Sequence, residues 1–293
     1  MALLEVRNLQ KSYGRRLVVS KVDFDVDAGE IIGLLGPNGA GKTTSFRMTI
    51  GLIDADAGQV MFDNKDVTRL PMYQRARLGL GYLPQEASVF KQLSVEDNLM
   101  AILETRKDLN RKERRRRQDQ LLEQFGLSHV RKTSASRVSG GERRRVEIAR
   151  SLVTEPKLLM LDEPFAAIDP KTVSEIQDVI KDLAKSFGIG ILLTDHSVER
   201  VLESADRSYL IHEGKVVVWG TSQQILNNAD AKKYYLGERF QAGHLLDPVQ
   251  PPPGLPAQHR TDPPQGVDSP HRSVPLEPAT VIMDIGQNDQ LDR

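Results

Sequence analysis

Gly36-Pro-Asn-Gly-Ala-Gly-Lys-Thr43 dictates much of what this 293-residue chain must fold into. It matches the pattern G-x-x-x-x-G-K-[ST]. The apolar run Ile31–Leu35 precedes it, and the helical stretch Lys42–Ile50 overlaps its end and stops at Gly51. Glycines let the backbone curl so that successive N–H groups point at a phosphate, and the helix N-terminus adds its positive dipole end. The segment therefore predicts a phosphate-binding loop between a buried strand and a helix, rather than a glycine-rich turn with a chance lysine.

Each residue of this loop has an expected task in binding a nucleotide. Lys42 should reach the β- and γ-phosphates, and the Thr43 hydroxyl should bind Mg²⁺. The cofactors that the loop predicts are therefore ATP and Mg²⁺. The predicted nucleotide-binding residues here are Gly36, Pro37, Asn38, Gly39, Ala40, Gly41, Lys42, Thr43 and Thr44.

A second apolar run, Leu158–Leu161, ends in two carboxylates, Asp162 and Glu163. The carboxyl ends of strands are where α/β sheets bind ligands. We expect Asp162 to hold Mg²⁺ and Glu163 to orient or deprotonate the attacking water. Taken alone, such a pair more often caps a helix, but in a chain with a phosphate loop the catalytic interpretation is the better one.

Strand-like and helix-like segments alternate around these motifs. Ile189–Leu193 is a third apolar run, and the helical stretch Val173–Phe187 precedes it. Runs that are apolar at every position are typical of parallel strands buried on both faces, so the chain should have an α/β core. Residues 86–156 are mostly helical, with a capping box at Asn110–Glu113 and a Schellman ending at Gly126–Leu127. This stretch predicts a helical subdomain inserted into the core.

Val138-Ser-Gly-Gly-Glu142, followed by three arginines, resembles the signature sequence of the ABC ATPases, with Val and Glu where Leu and Gln are commonest. Ser139 and Glu142 also have the spacing of a helix-starting capping box, and both interpretations can hold together. The resemblance implies that Ser139, Gly140 and Gly141 bind the γ-phosphate of an ATP held by the opposite subunit.

Other elements of that family follow in the expected order, and the resemblance covers about residues 3–240. It implies that Tyr13 stacks on adenine and that His196 is the catalytic switch histidine. It further implies that Gln85 serves in catalysis and in Mg²⁺ binding, and that Asp169 of the D-loop contacts nucleotide. The implied fold is a P-loop NTPase core over residues 1–240: a RecA-like mixed sheet with flanking helices and an N-terminal antiparallel β subdomain.

Four segments look like the ATPase subunits of bacterial lipopolysaccharide export transporters: Gly81–Phe90, Leu93–Leu99, Ser139–Arg150 and Tyr235–Phe240. This closer resemblance implies a homodimer across two ATP molecules at the cytoplasmic face of the inner membrane. Two integral membrane subunits would dock in a groove near Gln85–Lys91, with Phe90 as a candidate anchor. The chain departs from that pattern in the D-loop, at Ser197 and in the residues past Phe240.

Composition narrows the alternatives. Forty basic residues balance forty acidic ones, so no overall field favours nucleic acid, and the absence of cysteine excludes thiolate–metal sites. The apolar runs are too short to span a bilayer, so any membrane role needs a partner.

The rival functions are the ATPase of another transporter, such as a branched-chain amino-acid importer, and a soluble ABC ATPase acting on DNA or ribosomes. Soluble ABC ATPases that act on DNA or ribosomes usually carry coiled coils, zinc modules or tandem cassettes, and these features distinguish them from transporter subunits.

Two segments carry weaker signals. Residues 241–293 are rich in proline and poor in apolar residues, which predicts a disordered tail or, alternatively, a Pro-rich docking peptide. Arg106–Arg117 is strongly basic; it is a solvated helix face in the interpretation we favour, and a contact with anionic lipid headgroups in the other.

Overall fold

The computed structural model describes residues 2–166 and 168–237. The predicted tail, residues 241–293, and Ala167 of the predicted D-loop lie outside the described residues.

Within the described residues ten strands form one mixed sheet, flanked by helices. The strands are β1 (Leu4–Tyr13), β2 (Arg16–Val26), β3 (Ile31–Leu35), β4 (Ala57–Phe62), β5 (Lys65–Asp66), β6 (Leu80–Leu83), β7 (Leu158–Asp162), β8 (Gly190–Thr194), β9 (Arg207–His212) and β10 (Lys215–Gly220). The helices are α1 (Lys42–Ile50), α2 (Met72–Arg77), α3 (Val95–Leu103), α4 (Arg111–Gln124), α5 (Gly140–Ser151), α6 (Pro170–Lys185), α7 (Val198–Ser204), α8 (Ser222–Asn227) and α9 (Ala229–Ala231), which runs into a π-helical turn at Lys232–Leu236.

The parallel half of the sheet has the order β9-β3-β8-β7-β6. Ile31 of β3 pairs with Ile191 of β8, and Leu158 of β7 pairs with Gly190 of β8. Every residue of β3, β7 and β8 is buried, because helices cover both faces of this half. The predicted α/β core with a parallel sheet is confirmed.

The antiparallel half has the order β5-β4-β1-β2 and comes from the first 66 residues. Alternating residues of β1, among them Leu4 and Val6, are buried against the core, as expected of a sheet with one face toward solvent. The two halves join where Lys215 of β10 pairs with Lys21 of β2.

The helices show where the sequence-based boundaries hold and where they shift. Helix α1 spans Lys42–Ile50 and ends at Gly51, whose φ of 81° is left-handed, as predicted. Helix α6 begins at Pro170, three residues before the predicted Val173, because Asp169 caps it and proline suits the first helical position.

The chain between β6 and β7 is helical and contains α3, α4 and α5. The predicted capping box is present, since Asn110 accepts from the N–H of Glu113 and the Glu113 carboxylate accepts from the N–H of Asn110. The predicted Schellman ending is also present, with Leu127 N–H donating to the Leu122 carbonyl at 2.7 Å. The exact limits of a helical subdomain and of the ATPase domain stay a prediction. None of the helices in the described ranges combines the length and the hydropathy that crossing a bilayer requires.

Candidate nucleotide-binding and catalytic site

The predicted phosphate loop connects the end of β3 to the start of α1. Gly36, its first residue, has a φ of 144°, and a Cβ atom there would lie 2.1 Å from the backbone oxygen of Ile211. A Cβ atom on Gly41 would lie 3.0 Å from the backbone oxygen of Val18. Because neighbouring strands press on the loop at both ends, only glycine fits these two positions.

Lys42 folds back over this loop. Its ammonium group donates to the carbonyl oxygen of Pro37 at 3.0 Å and to that of Gly36. Burial lowers the pKa of Lys42, and the negative charge of Glu163 acts in the opposite direction. The ammonium group thus lies inside the curve of the loop, where phosphate oxygens would take the place of these carbonyls as acceptors.

Glu163, Gln85 and His196, which the sequence assigns to catalysis, meet in one cluster. Gln85 Nε2 donates to one carboxylate oxygen of Glu163 at 2.6 Å, and His196 Nε2 lies 2.8 Å from the other. The backbone places the carboxylate, since Glu163 follows β7 with a φ of 48° and its N–H donates to the Thr194 carbonyl at 2.8 Å. A positive φ at a glutamate is uncommon and is the kind of local strain that functional sites hold.

The surroundings of Glu163 make it a better base. Burial is the main cause that raises the pKa of this carboxyl, and the charges of Asp162 and Asp195 raise it further, whereas His196 lowers it. A carboxylate with a raised pKa accepts a proton more readily near neutral pH. The geometry and the electrostatics both suit a general base.

Asp162, at the end of β7, is buried and belongs to no ion pair within the described part of the chain. Its carboxylate accepts a hydrogen bond from the Tyr82 hydroxyl at 3.5 Å. Burial raises its pKa, and the positive charge of Arg47 opposes that shift. A desolvated carboxylate that forms no ion pair within the described residues fits Mg²⁺, which prefers oxygen ligands. Thr43 and Gln85 are the other predicted ligands; Thr43 is exposed at the start of α1.

The helix-capping alternative for this pair of carboxylates is wrong. The helix that follows, α6, begins seven residues after Glu163 and is capped by Asp169. Asp169 accepts from the N–H of Thr172 at 3.1 Å and from its hydroxyl at 2.6 Å. The residue predicted to contact nucleotide therefore has a structural task in this chain.

The signature segment starts α5. The Ser139 hydroxyl accepts from the N–H of Glu142, and the Glu142 carboxylate accepts from the N–H of Ser139, so the predicted capping box is present. Ser139 and Gly140 are exposed, whereas Gly141 packs so closely that a Cβ atom would lie 2.3 Å from the Thr172 side chain. Tyr13 lies at the end of β1 with 52% of its surface exposed. Within the described residues none of these groups hydrogen-bonds to Gln85, Glu163 or His196.

Arg144 is a component of the site that the sequence analysis did not identify. Its guanidinium group is buried and forms an ion pair with the Glu147 carboxylate at 3.0 Å. It also donates to backbone carbonyls next to Gln85 and around Glu163, which belong to Pro84, Asp162, Glu163 and Pro164. Arg144 thus holds the signature helix, the Gln85 segment and the catalytic strand end together. The periodicity of α5 was an available signal, since Arg144 shares a helix face with buried Gly141 and Ile148.

Known proteins share the fold and much of the sequence of this chain. The model of the ABC transporter family matches residues 19–166. The chain belongs to the ABC transporter family and is one of its ATP-binding subunits. Two solved structures share the fold at 28% identity and a TM-score of 0.72 each: a nucleotide-free ATP-binding cassette from an ABC transporter, aligned over 81% of this chain and all of that one, and cbiO1 from Clostridium perfringens, aligned over 83% and 98%.

Relatives with about half of their residues identical indicate which ABC transporter subunits this chain resembles. The chain is 51% identical to the lipopolysaccharide export system ATP-binding protein LptB of Haemophilus influenzae, over 82% of this chain and all of that protein. It is 52% identical to LptB of Acidithiobacillus ferridurans, over 82% and 98% of the two chains. A probable ABC transporter ATP-binding protein of Azorhizobium caulinodans is 54% identical, over 80% and 82%.

Proposed function

We propose that this chain hydrolyses ATP to ADP and phosphate in a nucleotide-sandwich homodimer, and that hydrolysis drives lipopolysaccharide export through two integral membrane subunits. The observation that carries the catalytic part is the contact of Glu163 with both Gln85 and His196, beside a phosphate loop. A base, an orienting amide and an imidazole that meet at the ends of three neighbouring strands suit in-line attack by water on a phosphate.

The side chains divide the reaction between them. Glu163 takes the proton from the attacking water, helped by the burial that raises its pKa. His196 holds the γ-phosphate and the water on the exposed side, and Lys42 neutralises the charge on the phosphates. Mg²⁺, held by Thr43, Gln85 and Asp162, would supply further charge neutralisation on the β- and γ-phosphate oxygens. The bond from the γ-phosphorus to the bridging oxygen breaks, and ADP leaves.

The position of the signature supports the sandwich dimer. Ser139 and Gly140 are exposed at the N-terminus of α5, where helix N–H groups can bind an anion, and within the described residues they form no hydrogen bond to Gln85, Glu163 or His196. A second copy that places its signature against the phosphate loop of the first would complete each site. Tyr13 would stack on the adenine, and Asp169 would contact the nucleotide.

The names of the relatives support lipopolysaccharide as the cargo, since LptB proteins match nearly their whole length at about half identity. A peripheral location on the cytoplasmic face of the inner membrane would follow from this assignment. The groove near Gln85–Lys91 would receive the membrane subunits.

Reconstitution tests the proposal as a whole. The full chain, purified with the integral membrane subunits that co-purify with it, is placed in vesicles containing lipopolysaccharide. We expect Mg²⁺- and ATP-dependent extraction of lipopolysaccharide, absent with the Glu163→Gln variant as a matched control. ATP turnover that responds to a branched-chain amino acid and its binding protein, without lipopolysaccharide extraction, would assign the chain to an importer instead.

A further inference from the structure

Two adjacent tyrosines near the end of the described chain face different parts of the molecule. Tyr235 lines a cavity of about 480 Å³ together with Gly36, Pro37, Asn38 and His196. The ring of Tyr234 instead contacts the ring of His212, with 4.7 Å between the ring centres. Only the first of these two side chains therefore borders the phosphate loop and the predicted switch histidine.

The segment that carries Tyr235 is anchored to the core. Asn228 caps it by accepting from the N–H of Ala231 at 3.0 Å, and Ala231 is buried. The π-helical turn closes with Gly237 N–H donating to the Lys232 carbonyl at 2.8 Å. Tyr235 and Leu236 pack against the main apolar cluster. An anchored segment can hold the Tyr235 side chain in one place.

The Tyr235 hydroxyl lies beside the backbone N–H of Gly36, which favours the ionised form, while burial acts more strongly and raises the pKa. The hydroxyl is therefore neutral at physiological pH, so it can accept from this N–H and still donate its own proton. A Cβ atom on Gly36 would lie 2.1 Å from the Ile211 carbonyl oxygen, so the backbone of β9 packs directly against this residue. Both β9 and the Tyr235 side chain therefore border the first residue of the phosphate loop.

We propose that Tyr235 is a positioning residue for the phosphate loop: its hydroxyl fixes the Gly36 peptide and its ring walls the site beside His196. Nucleotide affinity then depends on how the C-terminal segment 228–237 holds Tyr235. The inference deepens the proposed function, since it concerns the same ATP site.

The test compares Tyr235→Phe with Tyr234→Phe in the full chain. Both substitutions remove one hydroxyl and keep the ring. Equilibrium titration with ATP and Mg²⁺ gives the affinity, steady-state turnover gives KM and kcat, and urea unfolding reports on stability. We expect Tyr235→Phe to weaken ATP binding and raise KM on the order of fivefold, the worth of one hydrogen bond, with kcat nearly unchanged. Tyr234→Phe should match the wild type in all three measurements.

Each other result has a defined meaning. Unchanged affinity in Tyr235→Phe, or an equal loss in both variants, overturns the inference. So does a loss in Tyr235→Phe that is matched by a comparable loss of unfolding free energy, because that would indicate a structural role only. A wild type that binds ATP but does not turn it over would contradict the proposed hydrolysis, while the affinity comparison would still decide the role of Tyr235.

Discussion

Both carboxylate oxygens of Glu163 are engaged, one by Gln85 and the other by His196. Replacing Glu163 by Gln keeps the shape of the side chain and removes the proton acceptor. We expect ATP binding to persist while turnover slows by roughly 10²–10⁴-fold, the usual worth of a positioned general base. Phosphate release from the purified chain measures turnover, and a nucleotide titration on the same sample measures binding. Turnover at the wild-type rate would remove Glu163 from proton transfer.

The pH dependence of turnover should reflect the same side chain. Burial raises the pKa of Glu163 above its ordinary value of 4.5, and a general base works only when deprotonated. We therefore expect kcat to fall with decreasing pH around a midpoint above 4.5. A profile of kcat against pH checks this, and a midpoint at or below 4.5 would contradict it.

The free energy of unfolding should rise as Glu163 becomes protonated, whereas turnover should fall. Because the folded state binds this proton more tightly than the unfolded state does, the ionised carboxylate opposes folding above the folded pKa. That cost disappears as the pH falls below the unfolded value of 4.5. At neutral pH the protein is therefore less stable by the cost of keeping Glu163 ionised, which is the form that acts as a base.

At the scale of elements, Arg144 connects α5 to the ends of β6 and β7. Arg144→Ala leaves the Glu147 carboxylate buried without its partner, so we expect a loss of about 3–5 kcal/mol in the free energy of unfolding. Urea denaturation measures this loss. Arg145→Ala is the matched control, because Arg145 pairs with the partly exposed Glu175 and should cost at most about 1 kcal/mol. Equal losses in the two variants would mean that Arg144 does not hold these elements together.

Phe90, in the segment after Gln85, exposes its aromatic ring. Hydrogen bonds to Asn98 hold its backbone and do not involve the ring. Asn98 accepts from the N–H of Phe90 at 2.8 Å and donates to its carbonyl at 3.1 Å, while 45% of Phe90 is exposed. We expect Phe90→Ala to leave ATP binding nearly unchanged and to weaken assembly with the membrane subunits by about 2 kcal/mol or more. Pull-down of those subunits beside an ATP titration decides it. Tyr73→Ala, which removes another exposed ring, is the control and should assemble normally.

The elements that could be predicted from the sequence are those whose signals are local. Ile31–Leu35 is apolar at every position because both faces of its strand are buried, and Gly51 marks the end of α1 because only glycine suits its conformation. Pro170 after Asp169 was an equally local signal for the start of α6. The tasks of Arg144 and Tyr235 depend on groups far away in the sequence, on carbonyls near Gln85 and on Gly36. A pattern in neighbouring residues does not contain such contacts.

At the scale of the whole molecule, the proposed site needs two chains. If the signature of one chain completes the phosphate loop of another, the ATPase rate per chain must fall as the protein is diluted below its dimer dissociation range. Measurement of the rate across a dilution series, without membrane subunits, checks this expectation. A constant rate per chain would show that one chain hydrolyses ATP alone. The Glu163→Gln variant controls for contaminating ATPases.

The sheet topology also bears on how the chain is made. Strand β3 carries the phosphate loop and is synthesised early, yet its two neighbours, β8 and β9, begin about 160 and 175 residues later along the chain. At 5–20 residues per second, translation exposes this apolar strand for on the order of ten seconds before a partner exists. Parallel pairing of strands so far apart in the sequence is slow, because the entropy cost of closing the loop arises before the strand contacts that offset it have formed. We therefore expect the nascent chain to need protection by chaperones at the ribosome, and truncation before β8 to leave β3 without either of its neighbouring strands.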